Sequence, residues 1–203
     1  MKNLLFYASV LVIAFTNCSQ PKQVKTIENL KAGITGETTA SAKYAAFAQK
    51  AREEQNFNIA KLFEAASKAE SIHAANHLKV LEGMGEKFQV MTPQFDVKTT
   101  AENLQSAIDG ETYESTTMYP QFLADAKVEK ADKAIKSFNW ALDTEKKHQE
   151  FYTQALRALN SMAENTMPMN YAVCPVCGNT YDKAKLDGKC SFCQTRNEKF
   201  ITI

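Results

Sequence analysis

The sequence lacks an excess of charge of either sign. Its 203 residues include 24 Lys or Arg and 23 Asp or Glu, which gives a formal net charge of +1. Acidic and basic side chains are mixed along the chain, and no basic stripe suited to a nucleic-acid backbone is present. The composition therefore argues against a nucleic-acid partner. The length is sufficient for one helical domain with a sizeable core and a smaller module.

A long apolar run is also missing. The run at residues 4–15 is too short to span a bilayer comfortably and is typical of an export signal. Cys18 follows it and resembles the acylation site of a bacterial lipoprotein, although Asn17 stands where a small residue is usual. We predict a signal and lipidation segment over residues 1–18 and a polar tether over 19–26. An uncleaved anchor with an incidental cysteine is the alternative.

Either interpretation places the rest of the protein outside the cytoplasm. It would face the periplasm or the cell exterior, and an N-terminal lipid or anchor would be its contact with a membrane.

Cysteine is scarce before the C-terminal region, where two C-x-x-C pairs lie twelve residues apart. The four residues are Cys174, Cys177, Cys190 and Cys193. Four thiolates at this spacing predict a tetrahedral metal site, and so small a module needs its metal to fold. The spacing fits iron and zinc equally, and zinc ribbons are the commoner class. Disulfides are a third possibility for an exported protein.

The middle of the chain is helical in character, being rich in Ala, Glu, Lys and Gln. Four helices are predicted at residues 27–54, at 58–81, from the capping box of Thr99 and Glu102 to residue 126, and at 129–162. We therefore predict an all-α fold with a four-helix bundle over 27–163, a linker over 164–172 and the cysteine module over 173–203.

The two halves of the predicted bundle repeat one pattern. Gly36-Glu37-Thr38 with Tyr44 and Phe47 matches Gly110-Glu111-Thr112 with Tyr119 and Phe122, and Glu70-x-x-His73 matches Glu145-x-x-His148, at offsets of 74 or 75 residues. Each half is one helical hairpin, so the bundle is predicted to be a duplicated helix pair.

Ionisable side chains fall on the apolar stripes of all four helices. These residues are Glu37, Glu70, His73, Glu111, Glu145 and His148. Four ionised carboxylates inside a bundle would repel one another and lose hydration worth several kcal/mol each. Two metal ions would supply the missing positive charge, and these ligands suit iron or manganese. The alternative is that these side chains face solvent on amphipathic helices, and the repeated pattern disfavours it. His77 has no counterpart in the second half and is predicted to be a hydrogen-bonded packing residue.

Together these residues resemble the rubrerythrin family, and the resemblance covers nearly the whole chain after the N-terminal signal. Glu114, one turn after Glu111, is the extra carboxylate that simpler ferritin-like proteins lack. The resemblance implies a ferritin-like bundle that binds two non-haem iron ions, bridged by carboxylate and oxo groups. It also implies a rubredoxin-like domain with one iron, or zinc, on the four cysteines.

The family also implies an activity, the reduction of hydrogen peroxide to water. One iron would be bound by Glu114 when oxidised and by His73 when reduced, with Tyr44 and Tyr119 beside the centre. Electrons would come from the four-cysteine iron, typically across a homodimer interface, and ultimately from an unidentified donor protein. Gln194 and Asn179 depart from the usual rubredoxin pattern. Ferroxidase or iron-binding activity, and a non-catalytic bundle with a zinc ribbon, are the alternatives.

Overall fold

The structure is a computed structural model that describes residues 23–203. The predicted signal segment, Cys18 and the first half of the predicted tether, residues 19–22, lie outside the described residues. The first helix begins at Val24, so the last residues assigned to the tether are helical. None of the helices in the described range 23–203 combines the length and the apolar character that a membrane crossing requires.

Four long helical segments form the bundle. They are α1 (Val24–Glu53), α2 (Phe57–Gly83), a third segment composed of α3 (Thr100–Tyr113), a π-helical turn (Glu114–Met118) and α4 (Tyr119–Val128), and α5 (Asp132–Asn160). Short turns join the two helices of each hairpin, whereas residues 84–99 form the long crossover between hairpins. The predicted four-helix bundle is confirmed, with helix limits within a few residues of those expected.

The helix ends show why the chain breaks where it does. The predicted capping box is present, since Thr99 accepts a hydrogen bond from the amide of Glu102 and the Glu102 side chain accepts from the amide of Thr99. Gln55 and Lys130, at matching positions of the two hairpin turns, both have positive φ angles, of 65° and 54°. This left-handed conformation ends a helix and reverses the chain.

The cysteine module follows a short linker and contains a three-stranded antiparallel sheet. Its strands are β1 (Tyr171–Val173), β2 (Thr180–Asp182) and β3 (Ile201–Thr202), in the order β2-β1-β3. Tyr171 and Val173 belong to the same apolar cluster as Phe47, Phe63 and other residues of the bundle. The module is therefore packed against the bundle of its own chain.

Candidate metal centres

Six buried side chains meet in the middle of the bundle, and each helical segment contributes. Ligand atoms form two groups within 4.8 Å of one another, namely Glu37, Glu70, His73 and Glu145, and Glu70, Glu111, Glu145 and His148. All six residues are at most 1% exposed. Glu70 and Glu145 belong to both groups, so their carboxylates lie between the two positions where ions would be bound.

The two halves of this carboxylate cluster have nearly the same geometry. His73 Nδ1 lies 2.8 Å from Glu70 Oε2 and 3.1 Å from Glu145 Oε1. His148 Nδ1 lies 3.0 Å from Glu70 Oε1 and 3.3 Å from Glu145 Oε2. Both histidines therefore direct Nδ1 at the two shared carboxylates, as expected of a duplicated hairpin.

The polar atoms of the cluster fit two bound cations. Five of its carboxylate oxygens and His148 Nδ1 are buried without a hydrogen-bond partner among the described residues. Burial, followed by the charges of Glu145 and Glu70, raises the pKa of Glu37 to about 8. Burial and the charges of Glu70 and Glu145 likewise hold the pKa of Glu111 well above its ordinary value. The two histidines do not provide enough positive charge to keep these carboxyl groups ionised, which is the condition that divalent cations relieve.

Two tyrosine hydroxyls support the carboxylates from outside. Tyr44 donates a hydrogen bond of 2.7 Å to Glu111, and Tyr119 donates one to Glu37. Tyr44 belongs to the first hairpin and its partner Glu111 to the second, whereas Tyr119 belongs to the second hairpin and its partner Glu37 to the first. The structure thus places Tyr44 and Tyr119 beside the cluster.

Of the residues predicted to bind the two iron ions, Glu114 is the one that lies outside both ligand groups. It begins the π-helical turn, is half-buried, and has Oε1 about 4.0 Å from the point where a Cβ on Gly36 would stand. Burial and the charges of Glu37 and Glu145 hold its pKa well above the ordinary value. His73, in contrast, is within the cluster.

His77 is a buried histidine with both ring nitrogens hydrogen-bonded, to Ser137 Oγ at 2.7 Å and to the Tyr119 hydroxyl at 3.0 Å. The prediction of a hydrogen-bonded packing histidine is confirmed. No local motif pointed to Ser137, because its position opposite His77 depends on how α2 and α5 pack.

The four cysteines form the second centre. Sulfur atoms lie 3.4 Å apart for Cys174 and Cys193 and 3.5 Å apart for Cys177 and Cys190, and all four lie within one 4.8 Å group. A disulfide would bring two sulfurs to about 2.05 Å. These separations are instead close to the edges of a small tetrahedron, which fits one metal ion on four thiolates.

Polar groups from the module and from α5 surround these sulfurs. The Tyr181 hydroxyl donates a 3.3 Å hydrogen bond to Cys190, and the Thr195 hydroxyl lies 3.1 Å from Cys193. Lys147 Nζ stands 4.2 Å from the centre of the Tyr181 ring, and burial lowers the pKa of Lys147. Hydrogen bonds and positive charge near thiolates both favour the more negative, reduced state of a bound iron.

The two residues that depart from the usual rubredoxin pattern, Gln194 and Asn179, both make local hydrogen bonds. Gln194 has a φ of 63°, a conformation that favours glycine, and its side-chain amide donates to the carbonyl oxygens of Cys190 and Ser191. Asn179 is buried and donates a 2.6 Å hydrogen bond to the Tyr181 hydroxyl.

Residues of the cysteine module contact the two histidines of the carboxylate cluster. His148 Nε2 lies 2.9 Å from Thr180 Oγ1. Gly178, next to Cys177, lies so close to His73 that a Cβ there would be 2.4 Å from Nε2. No local motif marked Thr180, and contact between the module and the histidines of its own chain was not predicted.

Comparisons with known proteins agree with this arrangement. The model of the family described as Rubrerythrin matches residues 28–156. Nigerythrin from Nitratidesulfovibrio vulgaris is 35% identical over 176 residues, which cover 86% of this chain and 85% of nigerythrin. Rubrerythrin-2 from Clostridium acetobutylicum is 31% identical and covers 88% of this chain and 97% of its own length.

Solved structures give the same result. The structure of fully reduced, all-ferrous nigerythrin matches with a TM-score of 0.80 and 31% identity, covering 98% of this chain and all of that one. The structure of symerythrin from Cyanophora paradoxa, at 23% identity and a TM-score of 0.60, shares the bundle fold.

Proposed function

The chain belongs to the rubrerythrin family, and on that premise we propose that it reduces hydrogen peroxide to water, using a di-iron site in the bundle and electrons from an iron on the four cysteines. The observation that carries the proposal is the buried cluster in which Glu70 and Glu145 are shared by two ligand groups. Two ferrous ions held there would supply two electrons and the Lewis acidity that O–O cleavage needs.

The positions of the residues indicate which of the two ions each would bind. Glu37 and His73 would hold one ion, Glu111 and His148 the other, and the shared carboxylates would bridge them. Glu114, half-buried beside Glu37, is the proposed replacement for His73 in the oxidised protein. The proposal is supported by the position of Glu114 just outside the ligand group that contains His73.

Electron supply is proposed to run from the cysteine module to the bundle. Gly178 and Thr180 lie against the outer nitrogens of His73 and His148, so a short path exists within one chain. A homodimer could offer a second path, but the proposal does not require one.

The decisive experiment compares two oxidants. Purified full-length protein is prepared anaerobically, its iron content and visible spectrum are recorded, and the reduced di-iron centre is mixed with peroxide or with dioxygen. We expect a visible spectrum of ferric iron on thiolates after oxidation, and oxidation of the di-iron centre at least tenfold faster with peroxide. A centre that reacts no faster with peroxide would instead indicate a ferroxidase or an iron-binding protein.

A further inference from the structure

One chain of hydrogen bonds connects the carboxylate cluster to the protein surface. It consists of Ser137, His77, Tyr119 and Glu37, which come from α5, α2, α4 and α1. Its outer end, Ser137, lines a surface cavity of about 320 Å³ between α2, α5 and the cysteine module. Three lysines, Lys79, Lys133 and Lys136, also line this cavity, so water can reach its polar walls.

The direction of every hydrogen bond in this chain follows from its inner end. When a bound cation keeps Glu37 ionised, its carboxylate can only accept, so Tyr119 donates its single hydroxyl proton to Glu37. His77 Nε2 must then donate to the Tyr119 oxygen, which leaves Nδ1 of the neutral ring as an acceptor for the Ser137 hydroxyl. All three donors therefore point inward, from the cavity toward the cluster.

The surroundings of His77 suit a ring that accepts one hydrogen bond and donates another. The two ring nitrogens of His77 both have a buried hydrogen-bond partner, so a neutral ring at this position can accept one hydrogen bond and donate the other. Gly33 makes room for the ring, since a Cβ there would stand 3.1 Å from His77 Cδ2. In the other hairpin Tyr152 occupies the matching position, and its buried hydroxyl has no hydrogen-bond partner among the described residues.

We propose that Ser137, His77 and Tyr119 form a proton relay that carries protons from the surface cavity to Glu37 and the reacting oxygen atoms. The inference rests on the proposed function, because reduction of one peroxide to two water molecules consumes two electrons and two protons. The two ferrous ions provide the electrons. The relay provides the protons, one at a time.

Each transfer keeps the charges of the relay unchanged. Tyr119 releases its proton toward Glu37 and takes the Nε2 proton of His77, while His77 Nδ1 takes the hydroxyl proton of Ser137. Water in the cavity then returns a proton to Ser137, and before the next transfer the two hydroxyl groups reorient and His77 returns to the tautomer protonated at Nε2. His77 is a relay only because it has two nitrogens, and a residue that merely fills space there would carry no proton.

The first test follows the relay without any peroxide chemistry. Ser137→Thr and Ser137→Val have the same shape, but only threonine retains the hydroxyl group. In full-length protein loaded with diamagnetic zinc and labelled with ¹⁵N-histidine, we expect the His77 Nε2 proton to exchange with water at least tenfold more slowly in the valine variant. Equal exchange in the two variants would overturn the relay.

The second test measures proton uptake by the iron-loaded, reduced protein after one equivalent of peroxide, with a pH-indicator dye. Proton uptake is expected to lag behind oxidation of the di-iron centre by tenfold or more in Ser137→Val and to keep pace with it in Ser137→Thr. If the valine variant does not fold, Tyr119→Phe replaces it, with Tyr44→Phe as the matched change at the other carboxylate. Uptake that keeps pace in both tyrosine variants overturns the relay.

The two tests separate failure of the relay from failure of the proposed function. A protein that does not react with peroxide loses the proposed function, yet the exchange of the His77 proton still decides whether the hydrogen bonds conduct protons.

Discussion

At the scale of single residues, Gly178 is a point of close contact between the cysteine module and the carboxylate cluster. Its φ of 81° is a conformation that L side chains rarely adopt. A Cβ there would also approach the Ala69 carbonyl oxygen to 3.1 Å. Glycine at this position therefore serves the turn of the cysteine pair and the contact with His73 at the same time.

Gly178→Ala should lower the free energy of unfolding by about 3 kcal/mol, because the methyl group meets His73 and the backbone is strained. Gly188→Ala is the matched control in the same module, since nothing lies within 4 Å of its Cβ position. Guanidinium unfolding followed by circular dichroism compares the two variants. Equal stabilities would mean that the module does not pack on His73 as described.

At the scale of elements, two glutamates tie the hairpins together at their ends. Glu129, after α4, accepts hydrogen bonds from the amides of Lys25 and Thr26 at the start of α1. Glu54, after α1, accepts one from the amide of Thr100 at the start of α3. Each carboxylate satisfies free amides at a helix N-terminus, where negative charge is favoured.

Glu129→Ala should lower the free energy of unfolding by about 1 kcal/mol at neutral pH, the usual cost of losing an N-terminal cap. Burial acts to raise the pKa of Glu129, but hydrogen bonds from Thr26 and Lys25 outweigh it and lower the pKa. The stabilisation is thus present above the ordinary pKa of 4.5 and is lost as the pH falls through the lowered value.

The measurement is urea unfolding of the wild type and the variant at pH 7 and at progressively lower pH. Glu82→Ala, at an exposed position near the end of α2, is the control. A difference that persists unchanged in strong acid would show that the carboxylate charge is not its source.

Helix positions could be predicted from the sequence because caps, turn residues and apolar periodicity are local signals. The capping box at Thr99 and Glu102 is one example. The π-helical turn could not be predicted that way. Its only trace is the repeat offset, which is 74 residues between Glu37 and Glu111 but 75 between Tyr44 and Tyr119. The turn at Glu114–Met118 absorbs the additional residue, as such turns at functional sites commonly do.

At the scale of the whole molecule, the six cluster residues could be predicted from two sequence signals. The two halves repeat the same motif, and the apolar periodicity of each helix indicates which side chains are buried. The contact of the cluster with the cysteine module could not be predicted, since it depends on long-range packing of β1 and β2 against α2 and α5. The same limit applies to Ser137, whose partner lies 60 residues away in the chain.

Metal removal should make the stability of the protein strongly dependent on pH. In the metal-free chain the pKa of Glu37 is raised to about 8, chiefly by burial. Burial opposes protonation of His148, but the charges and hydrogen bonds of Glu70 and Glu145 together outweigh it and raise the pKa to about 9. Between pH 6.5 and 8 the folded state therefore holds more protons than the unfolded state, and stability falls as the pH rises.

The expected loss is about 1.4 kcal/mol per pH unit for each proton involved. Thermal unfolding of the metal-free and iron-loaded proteins across this range measures it. The iron-loaded protein should lack the decline, because bound cations keep the ligands deprotonated. Parallel curves for the two forms would contradict a metal site at this cluster.

Because both hairpins belong to one chain, substitutions can accumulate in each of them separately. Two identical hairpins assembled as a symmetrical pair could form the same carboxylate cluster, but every substitution would then alter both ion positions at once. In one continuous chain each half varies independently. The additional residue at the π-helical turn occurs in one half alone, and position 77 carries histidine where the other half has Tyr152. Covalent linkage thus permits a division of labour between two metals that symmetry would forbid.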